Sequence, residues 1–120
     1  MDTATLVDRY IAAWNERDAD ARAEAIAGVF AEDARYVDPL ADVTGRTEIA
    51  GLIESVQAQT PGHVFRLLDG PDGHHNFVRF GWELVPTAGG DALAVGRDVA
   101  RTKDGRFGAV VGFLDKAPVA

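Results

Sequence analysis

Residues 95–115 read VGRDVARTKDGRFGAVVGFLD, two runs in which small residues recur at alternate positions. Alternation with a period of two is typical of β-strands, because successive side chains point to opposite faces. The Lys-Asp-Gly step between the runs is a hairpin signal. The stretch therefore predicts two antiparallel strands, over residues 92–102 and 106–115.

The same pattern continues upstream of this hairpin. Two further apolar runs, at residues 64–68 and 77–85, predict strands. Turn-forming residues follow each of them, Gly-Pro-Asp-Gly at 70–73 and a Gly-Gly segment within 87–91. Short strands joined by tight turns predict an antiparallel meander in the second half of the chain.

Helical spacing dominates the first half instead. One apolar stripe lies within residues 6–14, and similar stripes predict helices over about residues 20–31 and 46–59. A short strand at 34–37 and a loop at 40–45 are predicted between the last two. Helices that precede a run of antiparallel strands indicate an α+β fold, here three N-terminal helices packed on the sheet.

Length and composition restrict the classes of protein. A chain of 120 residues fits a single domain, residues 1–120. A net charge of −7 disfavours nucleic acid as a partner, and the lack of cysteine excludes disulfides and thiolate zinc sites. With no long apolar run and no signal-peptide pattern, we expect a cytoplasmic, bacterial protein without membrane contact, whose last four residues fray.

The inventory of reactive side chains leaves few chemistries. The only serine, Ser55, lies in a predicted helix without a nucleophile motif, and no phosphate-binding glycine loop is present. His74 and His75 are adjacent and would point apart on a strand, and His63 is distant, so no metal site is expected. No cofactor is expected either. Proton transfer by carboxylate, tyrosine or histidine remains.

One face of the strand predicted at 92–102 is unusually small. It carries alanine and glycine apart from the carboxylate of Asp98. Small residues on an inner face would leave a hollow that contains the acid, whereas packed interiors normally fill such space. Alternatively, this face meets closely packed helices or a dimer partner, and Asp98 pairs with an arginine.

Two further residues attract attention. Asp38 follows Tyr36 on the same strand face and precedes Pro39, and an aspartate there either acts in a site or binds its own backbone in a turn. Tyr10 lies on the apolar stripe of the first helix. A tyrosine in that position is usually part of the core, with its hydroxyl bound to some partner.

These residues belong to a pattern known from other proteins. The stretch RYIAAWNERDADARAEAIAGVFAEDARYVDP, residues 9–39, resembles the opening of the ketosteroid isomerase and SnoaL-like polyketide cyclase group, in the nuclear transport factor 2-like superfamily. Residues 95–115 resemble that group's last two strands. The resemblance implies a cone, in which three helices close a curved, mostly antiparallel sheet around an apolar pocket.

The resemblance also implies roles. In ketosteroid isomerase an aspartate base removes a proton beside a carbonyl, and a tyrosine and a protonated aspartic acid bind the enolate oxygen. By position, Asp38 matches the base, Tyr10 the tyrosine and Asp98 the neutral acid. Arg97 departs from the pattern, because its charge beside Asp98 would favour the ionised carboxylate.

Three functions stay open from the sequence. The first is proton-transfer catalysis, of the isomerase, cyclase or dehydratase type, on a small, apolar carbonyl compound. The others are a non-catalytic small-ligand-binding domain and a dimerisation domain. By resemblance we expect a homodimer, which would bury Val95, Val99 and Val111. We expect the substrate to contact seven residues, namely Trp14, Tyr36, Phe80, Trp82, Leu84, Val110 and Leu114.

Overall fold

A computed structural model of the chain describes residues 2–117. It contains three helices, α1 (Thr3–Asn15), α2 (Ala19–Val29) and α3 (Arg46–Gln59). Asp2 and Asp18 cap the first two, each accepting a hydrogen bond from a backbone N–H in the first turn. Helix α3 has the predicted bounds. Of the tail predicted to fray, residues 118–120 lie outside the described part of the chain.

Six strands form one mixed sheet in the order β2-β1-β6-β5-β4-β3. Four of its five pairings are antiparallel, and β1 runs parallel to β6. The predicted meander therefore corresponds to β3 to β6. The strands are β1 (Phe30–Asp38), β2 (Ala41–Thr44), β3 (His63–His74), β4 (Phe77–Pro86), β5 (Ala94–Lys103) and β6 (Arg106–Lys116).

The order of helices and strands differs from the prediction in the first half. The helices are not all N-terminal, because β1 and β2 separate α2 from α3. Helix α2 ends at Val29, since Phe30 already pairs with β6. The predicted loop at 40–45 contains β2, a short edge strand whose Asp42 pairs with Arg35 of β1 at 2.7 Å. The four residues of β2 do alternate between apolar and polar side chains, but a run this short is too weak a signal to predict a strand.

The predicted turn at residues 70–73 is also wrong. Strand β3 continues through it to His74, with its register against β4 shifted around Asp69 and Asp72. Gly70 there has a φ of +85°, which glycine adopts without strain. The glycine and proline thus mark irregularities within a long strand, and the chain reverses only after His74.

The helices lie on one face of the sheet, with α1 against β3 and α3 against β1 and β2. Tyr10 of α1 is at the centre of the core between them, 2% exposed. Its ring contacts four other aromatic rings at centroid distances of 5.3 to 6.3 Å, those of Trp14, Phe30, Phe80 and Phe107. In residues 2–117 no helix is long and apolar enough to cross a membrane.

Candidate active site

Asp98 is buried in the middle of β5, with 2% of its surface exposed. The Tyr10 hydroxyl donates a hydrogen bond of 2.7 Å to Oδ2, and Trp82 Nε1 donates one of 3.0 Å to Oδ1. Both oxygens are therefore bound by neutral donors from other elements, one from α1 and one from β4. Asp98 is not paired with an arginine, contrary to one of the two readings of the sequence.

The guanidinium of Arg97 is bound to Asp69 and not to the Asp98 carboxylate. It lies on the opposite face of β5 and binds the carboxylate of Asp69 through two hydrogen bonds, of 3.0 and 3.2 Å. This ion pair raises the pKa of Arg97 and lowers that of Asp69. The guanidinium is thus neutralised locally, on the side of the sheet away from Asp98.

Burial dominates the ionisation of Asp98. Loss of water around the carboxylate raises its pKa from 3.8 to about 6, and the charge of Asp38 adds to that rise. The hydrogen bonds from Tyr10 and Trp82 act in the opposite direction, because they stabilise the carboxylate. Burial likewise raises the pKa of Tyr10, and the adjacent Asp98 adds to it, so Tyr10 stays a hydrogen-bond donor.

Asp38, at the end of β1, is held by two donors of its own. The Tyr36 hydroxyl donates to Oδ2 at 2.8 Å, and the backbone N–H of Leu40 donates to Oδ1 at 2.8 Å. The second contact is the local turn that an aspartate before proline can form. Burial, with the charges of Asp98 and Asp38, raises the pKa of Tyr36 far above its usual range, so this hydroxyl also stays protonated.

Gly112 of β6 lies next to the side chains of both Asp98 and Asp38. A β-carbon at this position would lie 2.9 Å from Asp98 Oδ1, 3.3 Å from Asp38 Cβ and 3.5 Å from the Tyr36 hydroxyl. Real β-carbons almost never approach an oxygen that closely, so only glycine leaves both side chains where they are. The small residues on this strand face thus make room for the acids.

A cavity of about 160 Å³ opens beside these groups. Tyr10, Asp38 and Asp98, which the sequence singles out for catalysis, all line it. So do four of the seven residues expected to contact substrate: Trp14, Tyr36, Trp82 and Leu84. Phe80 and Val110 belong to the buried core, and Leu114 is half-buried on β6 outside the cavity lining.

The cavity has further walls that the sequence analysis did not single out. Most of these residues lie on apolar faces of helices or strands. Helical spacing and alternation predict such a face, but they do not tell whether it lines a cavity or packs in the core. Leu40 differs, since it is 87% exposed and follows the Asp-Pro step. These further lining residues are Ile11, Leu40, Val56, Gln59, Thr60, Phe65 and Ala94.

The indole N–H of Trp14 is the unusual polar group of this wall. Trp14 Nε1 is buried and lacks a hydrogen-bond acceptor within the described part of the chain. Its ring packs against Tyr10, Tyr36 and Phe65, with centroids 5.4 to 6.3 Å apart. A buried donor without an acceptor costs roughly 1–3 kcal/mol, which is tolerated more often in functional sites than elsewhere.

Among residues 2–117, no group of three His, Asp or Glu side chains is arranged to hold a metal ion. The chemistry that the cavity does offer is proton transfer and hydrogen bonding. It combines two carboxyl groups, two tyrosine hydroxyls and an aromatic wall. Fold and site together define an α+β protein with three helices over a mixed sheet and a buried Tyr–Asp pair beside a second aspartate.

Comparison with known proteins identifies the family. Residues 7–109 match the SnoaL-like domain, and the chain belongs to that family. A candidate isomerase of the SnoaL-like family from Agrobacterium tumefaciens is 44% identical, with a TM-score of 0.87 over 93% of this chain and 96% of that one. No protein of curated function matches the sequence.

More distant structures share the fold. A candidate polyketide cyclase from Sinorhizobium meliloti is 20% identical, with a TM-score of 0.71 over 90% of this chain and 93% of its own. A candidate ketosteroid isomerase from Kribbella flavida is 25% identical, with a TM-score of 0.63 over 97% of this chain and 79% of its own. An NTF2-like protein from Cytophaga hutchinsonii also matches, so the fold is NTF2-like.

Proposed function

We propose that this protein is a proton-transfer enzyme, of the isomerase, cyclase or dehydratase type, for a small, largely apolar carbonyl compound. The helices and the sheet would form a cone that encloses the substrate. The observation that carries the proposal is the pair of carboxyl groups in one aromatic cavity, each bound by a tyrosine hydroxyl and, within residues 2–117, neither paired with a cation. Carboxyl groups in unlike environments can divide acid and base roles.

Asp38 serves as the base in this proposal. Its carboxylate lies at the end of β1 beside Leu40, an exposed residue of the cavity wall. It removes a proton from the carbon next to the substrate carbonyl, and the electron pair moves onto the carbonyl oxygen to form an enolate. The hydrogen bonds from Tyr36 and the Leu40 N–H orient the carboxylate for that transfer.

Tyr10 and Asp98 bind the enolate oxygen. Because its pKa is raised to about 6, Asp98 changes between the neutral and the ionised form close to neutral pH. An apolar substrate expels water from the cavity, which raises that pKa further and favours the neutral acid. A neutral Asp98 donates a hydrogen bond, and each well-placed donor to a developing oxyanion contributes roughly 3 kcal/mol.

The proton on Asp38 then returns to the product. In an isomerase the substrate is β,γ-unsaturated, so the enolate is a dienolate; the proton goes to its γ-carbon, the double bond moves into conjugation, and the carbonyl reforms. In a cyclase the enolate carbon attacks a second carbonyl of the same molecule, and the new alkoxide takes a proton. Both routes consume no oxidant, reductant or cofactor, and both leave Asp38 ionised for the next turnover.

The test is isomerisation of a six-membered cyclic β,γ-unsaturated ketone, followed by the ultraviolet absorbance of the conjugated product. Solvent deuterium incorporation next to the carbonyl, measured by NMR, reports the proton removal itself. We expect Asp38→Asn to lower the rate by about 10²–10⁴-fold, because the base is lost while the shape is kept. Asp98→Leu should lower turnover without unfolding the protein.

Asp42→Asn is the matched control. Asp42 lies on the neighbouring strand β2, is paired with Arg35 and is exposed, so its replacement should leave the rate unchanged. Full activity in Asp38→Asn would contradict the mechanism. Ligand binding without any exchange in the unmodified protein would favour the alternative, a non-catalytic small-ligand-binding domain of the same fold.

We also propose that the protein forms a homodimer through the outer face of the sheet. This outer face carries Val99 and Val111, which are paired across β5 and β6, with Phe113 beside them. All three are more than a third exposed, although they are large and apolar. Contiguous exposed apolar surface of this kind marks interaction sites.

The remaining predictions concern the chain as a whole. The bacterial origin of the similar proteins from Agrobacterium and Sinorhizobium supports a bacterial source. A single domain over residues 1–120 and a cytoplasmic location stay predictions from the sequence.

A further inference from the structure

Trp82 forms the wall of the cavity next to Asp98, and its position depends on its neighbour across the strands. Trp82 of β4 pairs with Gly96 of β5. A β-carbon on Gly96 would lie 2.2 Å from Trp82 Cζ2 and 2.5 Å from Cε2. The indole therefore lies directly on the Gly96 backbone, in the space that any other residue would occupy. The hollow that small residues leave on β5 is filled here by a side chain of β4.

Two further contacts hold the indole in this place. Its Nε1 donates the 3.0 Å hydrogen bond to Asp98 Oδ1. Its ring meets Phe65 of β3 edge to face, with centroids 5.4 Å apart. Rotation of the indole out of the cavity would break the hydrogen bond to a buried carboxylate and the contact with Phe65. Trp82 is therefore a fixed wall and not a gate.

The space that remains is small. A cavity of about 160 Å³ compares with roughly 150 Å³ for an apolar cavity that takes up benzene, and with about 300–1,000 Å³ for pockets of drug-sized ligands. Its other walls include the rings of Trp14, Tyr36 and Phe65, which pack against one another and leave little room to expand.

We propose that Trp82, seated on Gly96, is the specificity-determining residue of this site and restricts the substrate to a single ring or a short chain. The inference rests on the proposed function in taking this cavity as the substrate site. It goes further by naming the size class and the residue that sets it. A fused two-ring compound would need the volume that the indole occupies.

The experiment measures binding and not turnover. Phenol is the one-ring probe, since it carries an oxygen on an unsaturated ring as an enol does, and naphthol is its two-ring counterpart. Dissociation constants come from calorimetric or NMR titration of the full chain. We expect the unmodified protein to bind phenol roughly tenfold or more tightly than naphthol, because the aromatic walls leave too little volume for a second ring.

Two variants separate volume from hydrogen bonding. Trp82→Ala should reverse the order, with naphthol binding more tightly than phenol. Trp82→Phe is the matched control: it removes the N–H but keeps an aromatic ring, and it should retain the preference for phenol. If circular dichroism shows that Trp82→Ala is unfolded, Trp82→Leu replaces it, with the same reversal expected.

Three results would overturn the inference: naphthol binding as tightly as phenol to the unmodified protein, no saturable binding of either probe, or an unchanged order in a folded Trp82→Ala or Trp82→Leu variant. A failure of the proposed function would look different. In that case phenol still binds more tightly than naphthol to the unmodified protein, and Trp82→Ala still reverses this order, but neither isomerisation nor deuterium incorporation is found.

Discussion

Asp98 shows how the properties of a single residue follow from its surroundings. The carboxyl group is buried, and its hydrogen bonds come from the neutral groups of Tyr10 and Trp82. These bonds offset only part of the cost of removing a charge from water, so the pKa rises to about 6. Below that pH the buried group is neutral, and above it the folded protein contains an ion without a counter-ion.

This imbalance predicts a pH-dependent stability. Because the pKa of Asp98 is raised on folding, its neutral form favours the folded state below about pH 4, and that contribution disappears as the pH rises through about 6. Asp98→Asn does not titrate, and its amide can accept from Trp82 and donate to Tyr10. Between about pH 4 and pH 8, the free energy of unfolding of Asp98→Asn should therefore rise by roughly 2 kcal/mol relative to that of the wild type.

Urea unfolding of both proteins at the two pH values measures this gain. Effects of the substitution that do not depend on pH cancel when the two pH values are compared, so the change in the difference between the two proteins is the relevant quantity. A difference that stays constant from acid to alkaline pH would mean that Asp98 has an ordinary pKa in the folded protein.

At the scale of secondary-structure elements, a buried polar network holds the three helices together. Arg22 of α2 and Gln57 of α3 are both buried, and Arg22 Nη1 donates to Gln57 Oε1 at 2.8 Å. Gln57 Nε2 in turn donates to the carbonyl oxygens of Trp14 and Glu16, at the end of α1. One amide thus satisfies carbonyls that the last turn of α1 leaves free.

Loss of this amide should be costly. Gln57→Met keeps the length of the side chain but leaves the Trp14 carbonyl without its donor, and Arg22 and the Glu16 carbonyl keep only their 3.3 Å bond to each other, so we expect the free energy of unfolding to fall by roughly 2–4 kcal/mol. Gln59→Met is the control, since Gln59 is exposed on the same helix, and it should change stability by no more than about 0.5 kcal/mol. Chemical denaturation compares the two variants, and equal stabilities would show that the network is dispensable.

For the whole molecule, the two faces of the sheet have opposite surroundings. The inner face is covered by helices, whereas the outer face leaves Val99, Val111 and Phe113 exposed to solvent. A charge of −7 makes two copies repel each other. Salt screens that repulsion while the apolar contact persists, so the proposed dimer should strengthen as ionic strength rises.

A single charge on the outer face should prevent association. We expect light scattering to give the mass of a dimer for the unmodified protein and of a monomer for Val111→Glu, because a carboxylate buried at an interface without a partner is strongly unfavourable. Leu40→Glu is the control: Leu40 is exposed but lies at the cavity, and its replacement should leave the dimer intact. A monomer at high concentration of the unmodified protein would contradict the proposal.

Local sequence signals predicted much of the secondary structure. The bounds of α3 follow from its apolar stripe and from the Pro-Gly step after it, and the closing hairpin follows from alternation and Lys-Asp-Gly. Such signals work because a few neighbouring residues determine a helix end or a tight turn. They failed for β2, which is only four residues long, and for residues 70–73, where pairing with β4 outweighs the local preference for a turn.

The sequence by itself also determined which side chains are available for chemistry, and it singled out Tyr10, Asp38 and Asp98 before any contact was known. Only the tertiary structure decided their surroundings. That the indole of Trp82 covers Gly96 and binds Asp98, that Arg97 pairs with Asp69, and that Phe80 belongs to the core all depend on pairings between strands. Alternation states which face a side chain takes, but the free volume above that face depends on every element packed against it.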